Sequence, residues 1–186
     1  MGIRVIGGDL KGRRLHTIRG QTIRPTADRI KESIFNILAG RVREAQVLDL
    51  FAGTGALGIE ALSRGAASAV FIDNDQKATQ VINANLKLGN LGNRSKCIKW
   101  DATKNLNCLA TISPTFDLIL MDPPYNRNHV NPALTVLHRS GSMQNGALVI
   151  VEHAMREPIL EGHIPFVLTD QRRYRKSLVS FLTHMI

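Results

Sequence analysis

The chain has 186 residues, 44% of them hydrophobic, and carries 24 Lys and Arg against 15 Asp and Glu. That is enough to bury one proper core, so a single domain with at most a small appendage is expected. No apolar run reaches the roughly 18 residues of a membrane span, and two cysteines, Cys97 and Cys108, are too few for a disulfide framework or a zinc site.

Taken in order, residues 3–8 and 12–17 read as a hairpin turned at residues 9–11, with Lys11, Arg13 and Arg14 at or near its tip. RPTADRIKESIFNILAG then reads as a helix. Thr26 is placed to cap it, Asp28 sits in its positive first turn, Ile30, Ile34, Ile37 and Leu38 share a face, and Gly40 ends it. Residues 1–46 hold 10 Lys and Arg against 4 Asp and Glu, while the remainder is nearly balanced. A basic leading segment suits a polyanion, because each cation near a phosphate releases condensed counterions; the alternative is a solvated surface kept soluble by its charge.

From Gln46 the pattern becomes strand, helix, strand. VLDLF is a short apolar run, ALGIEALSRG a helix closing at Gly65, and SAVFID the next strand. Asp75 caps a helix carrying Ala78, Val81, Ile82 and Leu86. KCIKW, a polar helical stretch near residues 102–110, FDLILM, a helix around residues 130–138 and ALVIVE continue the alternation. Apolar strands separated by helices mean a parallel sheet covered on both faces. PFVLTDQRR and KSLVSFLTHM have no helix between them and read as a closing antiparallel hairpin. The expected fold is α/β: a Rossmann-like, seven-stranded, mostly parallel sheet with helices on both faces. A basic hairpin-and-helix extension over residues 1–45 precedes a cofactor-binding catalytic domain over residues 46–186.

In an open α/β sheet, ligands lie beyond the carboxyl ends of the strands. Four successive strands carry an acid at that end: Asp49, Asp73, Asp101 and Asp122. Each alone is an ordinary cap or turn residue; four on one edge make a site. Gly53, Gly55 and Gly58 have the spacing of a dinucleotide loop, and Asp73 falls where a ribose-binding acid is expected. Asp49 argues against a nicotinamide cofactor, since its carboxylate would face a pyrophosphate in a cleft of reduced dielectric. The same carboxylate suits an ammonium. S-adenosylmethionine carries one, with a ribose for Asp73 and an adenine amine for Asp101.

The fourth strand ends in Asp122-Pro123-Pro124-Tyr125. Consecutive prolines fix a rigid turn, which would hold the Asp122 carboxylate and the Pro123 carbonyl in one orientation. Two such acceptors would grip the hydrogens of an exocyclic base amine and aim its lone pair at a methyl donor, with Tyr125 stacked on the base. No metal is required, and the six histidines show no metal-ligand spacing. His129, close after this turn, is the histidine nearest a substrate; Glu60 reads as a surface or structural polar residue.

DLFAGTGALGIEALSRGA together with DPPY resembles the class I S-adenosylmethionine-dependent methyltransferases that act on exocyclic amines. IRVIGGDLKGRRL followed by RPTADRIKESIFNIL resembles one branch of them, the RsmD family of bacterial 16S rRNA guanine-N2 methyltransferases, and the likeness runs from residue 3 to the last strand. The resemblance implies methyl transfer from S-adenosyl-L-methionine to the N2 amine of a specific guanine in small-subunit rRNA, the guanine-966 type. It places Asp49, Gly53 and Gly55 around the methionine portion of the cofactor, Asp73 at its ribose, and Asp101 with Ala102 near its adenine. Phe51 and Asn74 are also expected at the cofactor, and Thr26 on a segment covering it. Lys11, Arg13, Arg14, Arg24 and Arg29 then form an rRNA-binding group, and the partner is 16S rRNA or the assembled small subunit. A cytoplasmic monomer away from any membrane is expected. In one place the chain departs from the pattern: relatives tend to have Tyr-Gly before the last strand, where this chain has Tyr174-Arg175. Two other readings stay open, an N6-adenine methyltransferase acting on DNA or another RNA, and a noncatalytic nucleic-acid-binding module that retains the cofactor fold.

Overall fold

A computed structural model describes residues 2–18, 20, 27–112, 115–160 and 165–185. Val47, Leu48 and Leu50 are wholly buried, as a strand covered on both faces requires. They belong to β1 (Gln46–Leu50), which pairs in parallel with β2 (Ser68–Asp73) on one side and β4 (Phe116–Met121) on the other. β3 (Ser95–Lys99) extends the sheet beyond β2, and β5 (Met143–Ala154) extends it beyond β4. β6 (Phe166–Tyr174) and β7 (Ser177–His184) form the closing hairpin, with β7 antiparallel between β5 and β6. The resulting order is β3-β2-β1-β4-β5-β7-β6.

Helices lie on both faces, as the expected Rossmann-like arrangement requires. α1 (Ala27–Leu38), α2 (Ala56–Ser63) and α3 (Gln76–Leu88) contribute Ile34, Leu62 and Ile82 to one apolar cluster with Phe71 of β2. α4 (Val130–Arg139) contributes Leu134 and Leu137 to the other, with Leu48, Ile119 and Val149. The strand order reverses direction between β1 and β4, so the crevice beyond their carboxyl ends is where such a sheet holds ligands. Among the described residues no helix is long and apolar enough to cross a membrane.

Two local expectations need correction, and a third is met in part. The N-terminal hairpin forms, with Val5 donating to the Arg13 carbonyl, Gly12 to Val5 and Leu15 to Ile3, each at 2.9 Å, around an antiparallel bridge from Arg4 to Arg14, but the donors next to its turn go to α2 instead. Ile6 and Gly7 donate to the Glu60 carboxylate, each at 2.8 Å, and Asp9 donates to the Ser63 carbonyl at 2.8 Å. The helix expected near residues 102–110 is a turn followed by a 3-10 turn at Asn107–Leu109. There Asp101 accepts from Thr103, Asn105 accepts from the Asn107 amide and the Trp100 indole donates to the Asn105 carbonyl; short polar side chains compete with helical bonding in this way. On α1, Phe35 is buried and Ile37 is 40% exposed, so the buried stripe is Ile30, Ile34, Phe35 and Leu38. The expected Thr26 cap lies outside the described residues.

Candidate active site

The site begins inside β1. Asp49 is 1% exposed, and its Oδ2 accepts from the Gly58 amide at 2.9 Å. Gly58 permits this approach: a Cβ there would lie 2.4 Å from the Phe71 ring and 3.0 Å from Asp49 Oδ2. Between them the chain turns from strand to helix through left-handed residues Phe51 (φ 59°), Gly53 (φ 57°) and Gly55 (φ 77°). Such a conformation costs a non-glycine residue about 1–3 kcal/mol, and at Phe51 it sets the ring parallel to His129, centroids 6.1 Å apart and planes 15° apart. Space above Gly53 is open, with the Phe51 carbonyl nearest at 3.9 Å from an added Cβ.

The turn is held by side chains from the next elements. Asp73, closing β2, accepts from the Gly53 amide at 2.8 Å and from the Asp75 amide at 2.9 Å. Asn85 of α3 is buried; it donates to the Thr54 carbonyl at 2.9 Å and exchanges hydrogen bonds with the His16 backbone. It thus ties the glycine loop to the N-terminal segment. At the end of β4, Asp122, Pro123 and Pro124 form the opposite wall. The residues after them are fixed by Glu157, which accepts from the Asn126 amide at 2.8 Å and the Asn128 amide at 2.7 Å, both asparagines being left-handed. The Tyr125 hydroxyl donates to Glu152 of β5.

These walls enclose a cavity of about 690 Å³, within the range of small-molecule sites. Seven acidic residues line it (Asp28, Asp49, Asp73, Asp75, Asp101, Asp122 and Glu152), and Lys31 is the lining lysine. Burial pushes the Asp49 carboxyl well above the usual carboxylate range, and nearby Asp122 and Asp73 push it further, against the Gly58 hydrogen bond. Burial and the Glu152 carboxylate drive the Tyr125 phenol upward, so it stays a neutral donor. The hydrogen bond from Thr103 lowers Asp101. A cation entering this cavity relieves the repulsion among carboxylates. A pyrophosphate meets the opposite field, and the Gly58 amide it would need at the start of α2 is already taken by Asp49.

Of the residues expected around the cofactor, Asp49, Phe51, Gly53, Asp73, Asn74 and Asp101 line this cavity. Asp122, Pro123 and Pro124 join them, as does His129. Gly55 instead faces Ile59, Ile82 and Phe71, and Ala102 is buried in the core. Tyr125 is not among the lining residues, but its hydroxyl bonds to Glu152, which is. Arg24 and Thr26 lie outside the described residues. Arg29 is exposed on α1, a helix whose Ile30, Lys31 and Ile34 reach the cavity. Lys11, Arg13 and Arg14 are exposed but are not brought to the cavity. Arg13 donates to the Leu88 carbonyl at 3.0 Å, the far end of the 13-residue α3, about 20 Å of helix from Asp75. Glu152 was not singled out by sequence, although it stands near the carboxyl end of β5 as the four aspartates do on their strands. Glu60, wholly buried, is a structural hub rather than a surface residue: it takes the Ile6 and Gly7 amides, Arg64 at 2.8 Å and Lys31 at 3.5 Å.

The family model described as conserved hypothetical protein 95 matches residues 3–183. Ribosomal RNA small subunit methyltransferase D of Escherichia coli (strain K12) is 38% identical over 184 residues, covering 99% of this chain and 88% of that protein. The protein YlbH of Bacillus subtilis (strain 168) is 37% identical over 172 residues, covering 92% of this chain and 94% of that one. The solved structure of yhhF from Escherichia coli superposes with a TM-score of 0.84 at 31% identity, covering 100% of this chain and 99% of that one.

Proposed function

The chain belongs to the RsmD family described as conserved hypothetical protein 95, and from that premise we propose that it methylates the N2 amine of one guanine of 16S rRNA, the guanine-966 type. It is an S-adenosyl-L-methionine-dependent rRNA methyltransferase. The cofactor, when bound, supplies a methyl group on a positively charged sulfur. The residues present fit such a group, because the acidic cavity favours a cation and the open face over Gly53 admits a ligand against the backbone.

On this reading Asp49 faces the cofactor's ammonium, Asp73 and Asn74 its ribose, and Asp101 its adenine end, with Phe51 and the glycine loop beneath. Asp122 and the Pro123 carbonyl accept the two hydrogens of the target amine, which localises its lone pair and aims it into the cavity. Tyr125, held by Glu152, supports the base. Residues 1–45 act as a cover and RNA-docking extension on a catalytic domain over residues 46–186, and the enzyme works as a cytoplasmic monomer. The observation that carries guanine over adenine is the presence of a second carboxylate, Glu152, on the same cavity wall as Asp122. Guanine presents an N1–H donor beside its N2 amine, whereas adenine presents a bare N1 acceptor beside N6. A carboxylate next to Asp122 therefore attracts the first and repels the second.

The test is incubation of unmodified small subunits, and separately of free 16S rRNA, with labelled S-adenosyl-L-methionine, followed by nucleoside analysis and mapping. N2-methylguanine at one position is expected. N6-methyladenine without N2-methylguanine would establish the adenine reading instead. RNA binding indifferent to the cofactor, with no label transferred to either substrate, would make this a binding module.

A further inference from the structure

An acidic cavity repels the phosphates of the strand that must deliver a base to it, so cations are needed at its rim. Of the N-terminal hairpin cations, Arg13 is bonded to the far end of α3, and Lys11, Arg13 and Arg14 are not among the residues lining the cavity. The sheet topology places another set at the rim. β7 pairs antiparallel with β5 through Ala154 and Ser177, and β6 ends at Tyr174 opposite Ser177. The two-residue loop Arg175-Lys176 therefore lies at the carboxyl edge of the sheet, the edge that holds Asp122 and Glu152. Arg127 follows the end of β4, Arg156 follows the end of β5, and Arg173 is the next-to-last residue of β6. All five are exposed, and their side chains have no hydrogen-bonded or ion-paired partner among the described residues. Arg172 is different, engaged by Asp170 at 2.9 Å. The nearby Glu157 carboxylate is consumed by the Asn126 and Asn128 amides. Tyr174 bonds to Ser33 of α1, which anchors the loop against the N-terminal segment.

Charge on an edge strand such as β6 also deters pairing with other chains, and that alone would account for Arg173. It does not account for Arg175. This residue occupies the first central position of the hairpin loop with φ 44°, where the backbone favours glycine. An arginine held in a conformation it resists, beside the substrate wall, points to a function.

We propose that the RNA strand carrying the target base crosses the β4–β5–β7–β6 half of the carboxyl edge, its phosphates held by Arg127, Arg156, Arg173, Arg175 and Lys176. The proposal rests on the rRNA methyltransferase reading above. It makes this rim the contact flanking the reacting base, and leaves Lys11, Arg13 and Arg14 to touch RNA at a distance. The full-length Arg175→Glu/Lys176→Glu variant is compared with wild type on unmodified small subunits and 16S rRNA at several salt concentrations. The KM for RNA should rise at least about tenfold, the log–log salt slope of RNA binding should become shallower by about 1.4, two single-strand contacts at about 0.7 each, and cofactor affinity should match wild type. Arg175→Gly, which suits the loop backbone, guards against misfolding and should raise the KM about threefold. Arg139→Glu, in the last turn of α4 and so at the opposite edge, should change neither quantity. Unchanged KM and salt slope in the double variant, with loss instead in Lys11→Glu/Arg13→Glu, would overturn the proposal. If the wild type methylated no rRNA, the functional reading would fail, while the salt slope of RNA binding would still decide the rim.

Discussion

Replacing Asp122 with Ala removes one of the two acceptors assigned to the reactive amine while leaving the Pro123 carbonyl and the glycine loop in place. The expected loss is about 100- to 1,000-fold in kcat, the range seen when one preorganised polar group of this kind is deleted, with cofactor affinity nearly unchanged by calorimetry. A loss confined to cofactor affinity would move Asp122 from the amine to the donor. Asp49 makes a different prediction because burial raises its carboxyl above the ordinary range before any ligand binds. A bound cation favours the ionised form. Cofactor affinity should therefore increase as pH rises from the usual carboxylate range through the raised value, with a proton released on binding wherever Asp49 starts protonated. Asp49→Asn should bind more weakly and lose that slope. The same raised value works against folding stability in the same direction of pH, because the folded chain then binds the proton more tightly than the unfolded one. The aspartates of this site were legible in the sequence because Asp73, Asp101 and Asp122 close or follow an apolar run and Asp49 interrupts one. Glu152 was equally legible, since it closes the apolar run ALVIVE; what the run did not show is that β5 continues past it through the buried His153 and Ala154.

At the scale of elements, the N-terminal segment depends on α2 more than on its own ladder. Glu60 is wholly buried and satisfies two backbone amides, Arg64 and Lys31 at once; burial lowers the Lys31 ammonium despite that carboxylate. Glu60→Ala would leave two amides unmatched and strip the buried Lys31 of its nearest carboxylate, with the Arg4 carbonyl at 2.6 Å and Asp28 at 3.9 Å remaining to it. About 3–5 kcal/mol of stability should be lost, as when one partner of a buried pair is removed, and limited proteolysis should cut first before residue 18. Stability within about 0.5 kcal/mol of wild type would show that the segment is held by its other contacts, the buried Val5 and Leu15 together with the bonds from Ser63 and Asn85. The sequence signalled the two short strands here through their alternation, yet could not show that a glutamate some 54 residues away would take their donors. Periodicity reports which residues are apolar; it does not report where a backbone hydrogen bond goes. The same limit explains residues 102–110, where helical spacing was present but Asp101 and Asn105 closed local turns instead.

For the whole molecule, alternation of strands and helices sufficed to foresee a parallel sheet and its closing hairpin, since runs buried on both faces have few other solutions. Strand order was not foreseeable from the runs themselves, and it is strand order that sets Arg127, Arg156, Arg173, Arg175 and Lys176 at the same carboxyl edge as Asp122 and Glu152. Net charge by segment drew attention to the first 46 residues; folding carries part of that charge to the end of α3, sets Lys31 in the cavity lining and pairs Arg4 with the lining Asp28, and adds the C-terminal arginines along the same edge. Arg175 tests whether that arrangement was selected at some expense of stability. Its left-handed backbone costs about 1–2 kcal/mol, and glycine would remove this while adding back part of it as freedom of the unfolded chain. Arg175→Gly should therefore stabilise the protein by up to about 1 kcal/mol and raise Tm by about 2–4 °C, as expected for a chain of this size. A protein that melts higher and holds its RNA less tightly would mark Arg175 as kept for binding. A lower Tm would mean that contacts of the arginine side chain outweigh the strain in its backbone.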